Sequence, residues 1–209
     1  LYDDPLAIEE RQKWVDDGEG ALTSILLRTP IWYRAPEPDA MGDSASAASV
    51  LSRGPQDDRS YGLRAALLAR ADDKAALGQL YGELKKDSVK PNPERRLLLG
   101  QVAELLERHE EALAWYRSVP GGEARYVARL RETNVLHALG RKGEAFDALR
   151  TLQSDATVDE DTRRDAYLLE AELRQKDAQP VDELNAYARG LAAYPDDPRF
   201  EIRVLGGAA

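Results

Sequence analysis

Two histidines, His109 and His137, are the side chains best suited to move protons or hold a metal near neutral pH. A zinc site would need further His, Asp or Glu ligands at short helical spacing, and neither H-x-x-x-H nor H-E-x-x-H occurs in the 209 residues. Cysteine is absent, which removes disulfides, thiolate metal sites and a cysteine nucleophile. No G-x-S-x-G elbow presents a serine. Carboxylates abound, but general acid–base chemistry requires a cleft that drives two carboxyl pKa values apart. The acidic groups Asp72-Asp73, Asp159-Glu160-Asp161 and Asp196-Asp197 fall instead where helices are expected to begin, and there they complement the helix dipole. The stretch from Asp155 to Asp161 has the spaced aspartates of a calcium loop without its turn glycine or its terminal bidentate Glu, so it reads as helix capping. The residue types therefore predict no metal, no cofactor and no catalytic group.

The elements that would position any site are helices. Long segments repeat their apolar residues with helical period, and no run alternates as a strand does. From about Asp57 onward, helices of roughly a dozen residues are separated by breaks at Asp72-Asp73, Pro91-Asn92-Pro93, Arg108-His109, Pro120-Gly121-Gly122, Gly140 to Gly143, Ser154 to Asp159 and Gln179-Pro180. Connections this short force antiparallel neighbours. Before them, residues 1–29 read as a helical pair, and 30–56 as a Pro-, Ser- and Gly-containing linker with one weak helix at Ser44 to Leu51. Residues 199–209 read as the start of a further helix, with Phe200 and Val204 on its apolar stripe. That stripe needs cover, from another copy or from residues outside this sequence. Leu1 in place of Met fits an excerpt or a processed chain.

A formal charge of −9 repels phosphate chains, which argues against nucleic acid as a partner. No stretch approaches the roughly 18 apolar residues of a membrane span.

Pairing the helices exposes an internal repeat. Gly100 precedes Ala112 by 12 residues and Tyr116 by 16; Thr133 precedes Ala145 by 12 and Leu149 by 16; and Ala112 to Ala145 is 33 residues. Small residues at Gly100 and Ala112, or at Thr133 and Ala145, let two helices approach closely, while Tyr116 and Leu149 fill space towards the next pair. This period belongs to helix-pair solenoids.

The phrases LLLGQVAELLERHEEALAWY and LHALGRKGEAFDAL resemble the tetratricopeptide repeat family: a Leu-Gly in the first helix, an LGR-x-x-EA turn, and a small-then-large pair in the second helix. A third copy (165 to 198) matches at Ala171, Tyr187 and Pro195 but carries Glu183 at the close-contact position, and Gln179-Pro180 in place of the Gly-centred turn. A fourth, upstream copy has Leu63, Leu67, Ala76 and Leu80 in suitable places. The resemblance implies an all-α solenoid of antiparallel hairpins, with repeats at about 57–90, 94–120, 123–153 and 160–198, serving as a non-enzymatic scaffold. It also resembles long proteobacterial repeat proteins of the envelope, which implies a periplasmic or envelope setting. A short segment, TPIWYRAPE (29 to 37), is similar to the end of a protein-kinase activation loop, but no Gly-rich loop, H-R-D or D-F-G accompanies it. Trp32 and Tyr33 therefore read as packing residues that cap a helix pair.

In such a repeat the first helices line a concave face. Spacing from the small contact residues places Leu97, Gln101 and Glu104, then Leu130, Asn134 and His137, then Leu168, Glu172 and Gln175 on it. The implied ligand is a protein or peptide in this groove, with self-association through the C-terminal helix as a further expectation. Leu130 stands where some members of the family carry a carboxylate-gripping Lys, which disfavours a clamp for a partner's C-terminus. His109, in a turn where these repeats carry an aromatic, reads as a packing residue. The acidity alone supports an alternative, an accessory that guides a polymer of cationic sugars during exopolysaccharide export.

Overall fold

A computed structural model describes residues 44–54, 56–86 and 91–200. The expectations for residues 1–29, for Trp32 and Tyr33, and for Val204 lie outside these residues. Every regular element among them is a helix: α1 (Ser44–Leu51), α2 (Asp58–Arg70), α3 (Lys74–Lys86), α4 (Pro93–Leu105), α5 (His109–Ser118), α6 (Glu123–Ala138), α7 (Lys142–Ser154), α8 (Glu160–Lys176) and α9 (Pro180–Ala193). The chain has an all-α repeat fold, as the helical periodicity predicts. It divides into two compact units, one over Arg34–Thr162 and the other from Arg163 onward.

The starts of α2, α3, α4 and α8 are set by short polar side chains. Asp57 accepts from the Ser60 amide at 2.7 Å, Asn92 from Arg95 at 2.7 Å, Asp73 from Ala76 at 2.9 Å and Asp159 from Thr162 at 2.8 Å. Each satisfies an amide that has no intrahelical partner. Acidic residues at the breaks thus act as caps.

The repeat is written most plainly in the turns that end α2, α4, α6 and α8. Asp72, Glu107, Gly140 and Ala178 all adopt left-handed backbone, with φ of 50°, 59°, 75° and 53°. At each turn the same two bonds close the helix. The residue after the left-handed one donates back across five positions (Asp73 to Leu68, Arg108 to Ala103, Arg141 to Leu136, Gln179 to Arg174), and the left-handed residue itself donates across three. This is the Schellman arrangement. Only one of the four positions is glycine; the other three side chains carry the steric cost of that conformation.

Counting from these turns aligns the hairpins. Seven residues before each turn stand Ala65, Gly100, Thr133 and Ala171; five after stand Leu77, Ala112, Ala145 and Glu183; nine after stand Tyr81, Tyr116, Leu149 and Tyr187. The upstream copy is therefore shifted by one residue from its sequence reading: Leu77 and Tyr81, not Ala76 and Leu80, occupy the positions of Ala112 and Tyr116. The first-helix residues of this set are all small and, like Leu77, Ala112 and Ala145, buried; Glu183 and Tyr187 of the last copy are partly exposed.

Within the first unit each first helix packs on its own second helix and on the next first helix, α2 on α4 and α4 on α6, with α3 on α4 and α5 on α6 between them. A continuous core runs through it, including Leu77, Leu80, Leu84, Leu99, Val102, Leu113, Tyr116 and Val135. The ring of Tyr116 lies over the backbone of Gly100, where any Cβ would collide with it. Between α3 and α5, Trp115 Nε1 donates to Tyr81 Oη at 2.8 Å, and Tyr81 donates to Glu111 at 2.9 Å. Burial pushes the Tyr81 phenol up to about 12; Glu111 adds to that shift, while the bond from Trp115 opposes it.

In the second unit, α8 and α9 are tied by charge. The buried Glu170 carboxylate pairs with Arg189 at 2.9 Å, and Arg174 of α8 reaches Asp182 of α9 at 3.6 Å. Phe200 corrects a sequence expectation. Its ring is fully buried over Gly190, edge-on to Tyr167 and stacked with Tyr194, so the chain itself covers it.

Candidate functional site

The predicted face takes its polar centre from α4 and α6. Gln101 and Glu104 lie three residues apart on one side of α4, and Asn134 and His137 three apart on α6, the next first helix. Glu104 joins the two helices. Its Oε1 accepts from Asn134 Nδ2 at 2.8 Å, while its Oε2 accepts from Tyr116 Oη at 2.5 Å and from Arg131 Nη1 at 3.1 Å. One carboxylate thus binds its own hairpin and the next repeat at once. Its side chain is 16% exposed, whereas that of Arg131 is 2% exposed.

Burial raises the Tyr116 phenol well above its ordinary value, and the adjacent Glu104 charge adds to the effect, so this hydroxyl stays a donor. Burial alone would lower the Arg131 guanidinium, but Tyr116 and Glu104 outweigh it and the net shift is upward. Arg131 therefore stays charged in the packed interior, its Nη1 bonded to Glu104.

The other predicted residues fall into different settings. Leu97, one turn before Gln101, is partly exposed, while Leu130 is buried among the core residues and offers no surface. Gln101 is 8% exposed, and its amide makes no hydrogen bond to any described residue. His137 is partly exposed and meets the Phe146 ring edge-on at 6.1 Å. In the second unit, Leu168 is partly exposed, Gln175 is exposed, and Glu172 pairs with Lys176 at 3.0 Å. His109 is the first residue of α5, with a buried Nδ1 that has no hydrogen-bond partner among the described residues.

Arg131 was not among the residues picked out by sequence. Its signal lies in the alignment of turns, since the equivalent positions hold Leu63, Leu98 and Leu169. A cation in a leucine column points to a carboxylate partner, and Glu104 is that partner. Among the described residues no group of His, Asp and Glu is arranged to hold a metal ion, and no helix is long and apolar enough to cross a membrane.

No protein-family model matches the chain. Over 102 residues, 47% of its length, it is 34% identical to a Pseudomonas aeruginosa protein described as TPR repeat-containing protein PA4667. The chain spans only 16% of that relative. The similarity agrees with the helix-hairpin repeats described above.

Proposed function

We propose that this chain is a non-enzymatic interaction module that binds a protein or peptide on the face formed by its first helices, within a bacterial envelope or assembly complex. The observation that carries this reading is the side-by-side packing of α2, α4 and α6, which puts Leu97, Gln101, Glu104, Asn134 and His137 on adjacent helices. Similarity to a TPR repeat-containing protein supports it. In the second unit, Leu168, Glu172 and Gln175 hold the corresponding positions on α8 by repeat register.

Affinity capture from the source cell, compared between the native chain and an Asn134→Ala/His137→Ala variant, tests the proposal. The expected result is a discrete protein retained by the native chain and lost with the variant. Equal capture by both would remove this face from the account. Recovery of an amino-sugar polymer in its place would favour the glycan-handling alternative that the net charge of −9 motivates.

A further inference from the structure

Resting on that reading, we infer that Gln101, Glu104 and Asn134 form a receptor for a primary ammonium group, and that the partner presents it on a lysine side chain. The hydrogen-bond inventory carries the argument. Asn134 spends Nδ2 on Glu104, and its Oδ1 has no partner among the described residues. Gln101, 8% exposed as a residue, is on the same side of α4, and its amide makes no hydrogen bond within them. Glu104 Oε1 accepts one bond, from Asn134, whereas Oε2 already accepts two. A carboxylate oxygen and an amide oxygen each accept up to two bonds. Glu104 Oε1 and Asn134 Oδ1 thus lie together with spare capacity where α4 packs on α6, and Gln101 stands one turn before Glu104 on α4.

A lysine ammonium has three donors and no acceptor, which matches the oxygens of that set; the amide N–H groups of Gln101 take no part. A carboxylate or phosphate would face Glu104 with like charge and would leave the acceptors unanswered. Among the described residues the one cation bonded to this group, Arg131, is buried on the Oε2 side and leaves Oε1 to the ligand. Leu97 selects among amines. It is partly exposed one turn before Gln101, where it can pack against the four-carbon lysine stem, which an amino sugar lacks.

The test is a titration of the full chain followed through the side-chain amide resonances of Gln101 and Asn134 by proton–nitrogen correlation NMR. The probes are Nα-acetyl-lysine methylamide, its Nε-acetylated form, Nα-acetyl-norleucine methylamide, glycine methylamide with a free amino end, and glucosamine. Both amides should shift with the lysine probe and stay in place with the acetylated and norleucine probes. Glycine methylamide and glucosamine should act roughly ten-fold more weakly or not at all, because they lack the stem. Glu104→Gln should weaken the lysine response by roughly ten-fold or more. Because Glu104 also joins two repeats, Gln101→Leu serves as the second variant; it leaves the Glu104 bonds in place and should weaken binding by roughly three-fold or more.

Still amides with the lysine probe, equal shifts with norleucine, or an unchanged response in Gln101→Leu would overturn the inference. A stronger response to glucosamine than to lysine would overturn it in favour of a glycan ligand, and a stronger response to glycine methylamide in favour of a chain terminus. If the amides stay still while capture depends on Asn134 and His137, the ammonium site fails and the interaction face stands. If capture is insensitive to that pair, the broader reading fails by its own test.

Discussion

The hairpins α4–α5 and α8–α9 end their first helices with the same turn and hold their two helices together by different means. In α4–α5 a ring rests on bare backbone, Tyr116 over Gly100, and the small residue of the second helix, Ala112, is fully buried. In α8–α9 the corresponding second-helix residue is Glu183, partly exposed, and ion pairs from Glu170 and Arg174 to Arg189 and Asp182 join the helices. Close contact reappears there two turns later, where Phe200 of the following segment covers Gly190. The turn fixes the hairpin, and the side chains between the helices have latitude in how they hold it.

The sharpest way to break this comparison is to empty the ring site of the first hairpin. Tyr116→Ala removes a fully buried aromatic and the donor to Glu104, and should cost about 3–5 kcal/mol in urea unfolding. Gly100→Ala comes next. The added methyl meets the fixed ring, an overpacking penalty of about 1–3 kcal/mol, partly offset by about 1 kcal/mol of improved helix propensity. A variant as stable as the native chain would show that the ring yields freely.

In the charged hairpin, Arg189→Met strands the buried Glu170 carboxylate with its more distant partner Arg174, at 4.0 Å. Because Arg189 is itself 45% exposed, the expected loss is about 1–2 kcal/mol, below that for breaking a fully buried pair. Calorimetry of the variant checks this.

The shared turn supplies a smaller pair of opposite sign. Ala178→Gly should stabilise and Gly140→Ala should destabilise, each by about 1 kcal/mol, because a left-handed residue is strained only when it carries a Cβ. Equal signs in thermal denaturation would overturn the common-turn account.

The smallest effect concerns acid. Burial tends to raise the Asp197 carboxyl, but hydrogen bonds from Arg199 and the nearby charges of Arg199 and Arg164 outweigh it and hold the group below its usual value. A carboxyl lowered on folding adds stability that is fully present above its unfolded pKa, near 4, and disappears as pH falls through the folded value. The melting temperature of Asp197→Asn should therefore fall less than that of the native chain between neutral pH and about pH 3.

Fold was more legible in the sequence than site because helices are punctuated locally. Asn92, Asp73 and Asp159 cap where their types suggest, and Gly100 with Tyr116 is readable as a small–large pair at fixed spacing. The upstream register was misread because Leu77 stands where alanine is the rule, and only the left-handed turn at Asp72 sets the count. Exposure was the weak point. Leu130 and Gln101 share a helix face with Asn134 and Glu104 by spacing, yet how far each side chain emerges depends on how closely the adjacent helices approach. The Glu104–Arg131 contact crosses from one repeat to the next over 27 residues, a distance at which helical periodicity says nothing about who touches whom.

The recurring left-handed turns have a consequence for how such a chain can lengthen. Each closes its helix with the same two backbone bonds whatever its side chain, so a coding segment copied from one such turn to the next would carry matching ends into its new place. Extra cassettes could be spliced in without redesigning a junction, even though the four turns stand 35, 33 and 38 residues apart.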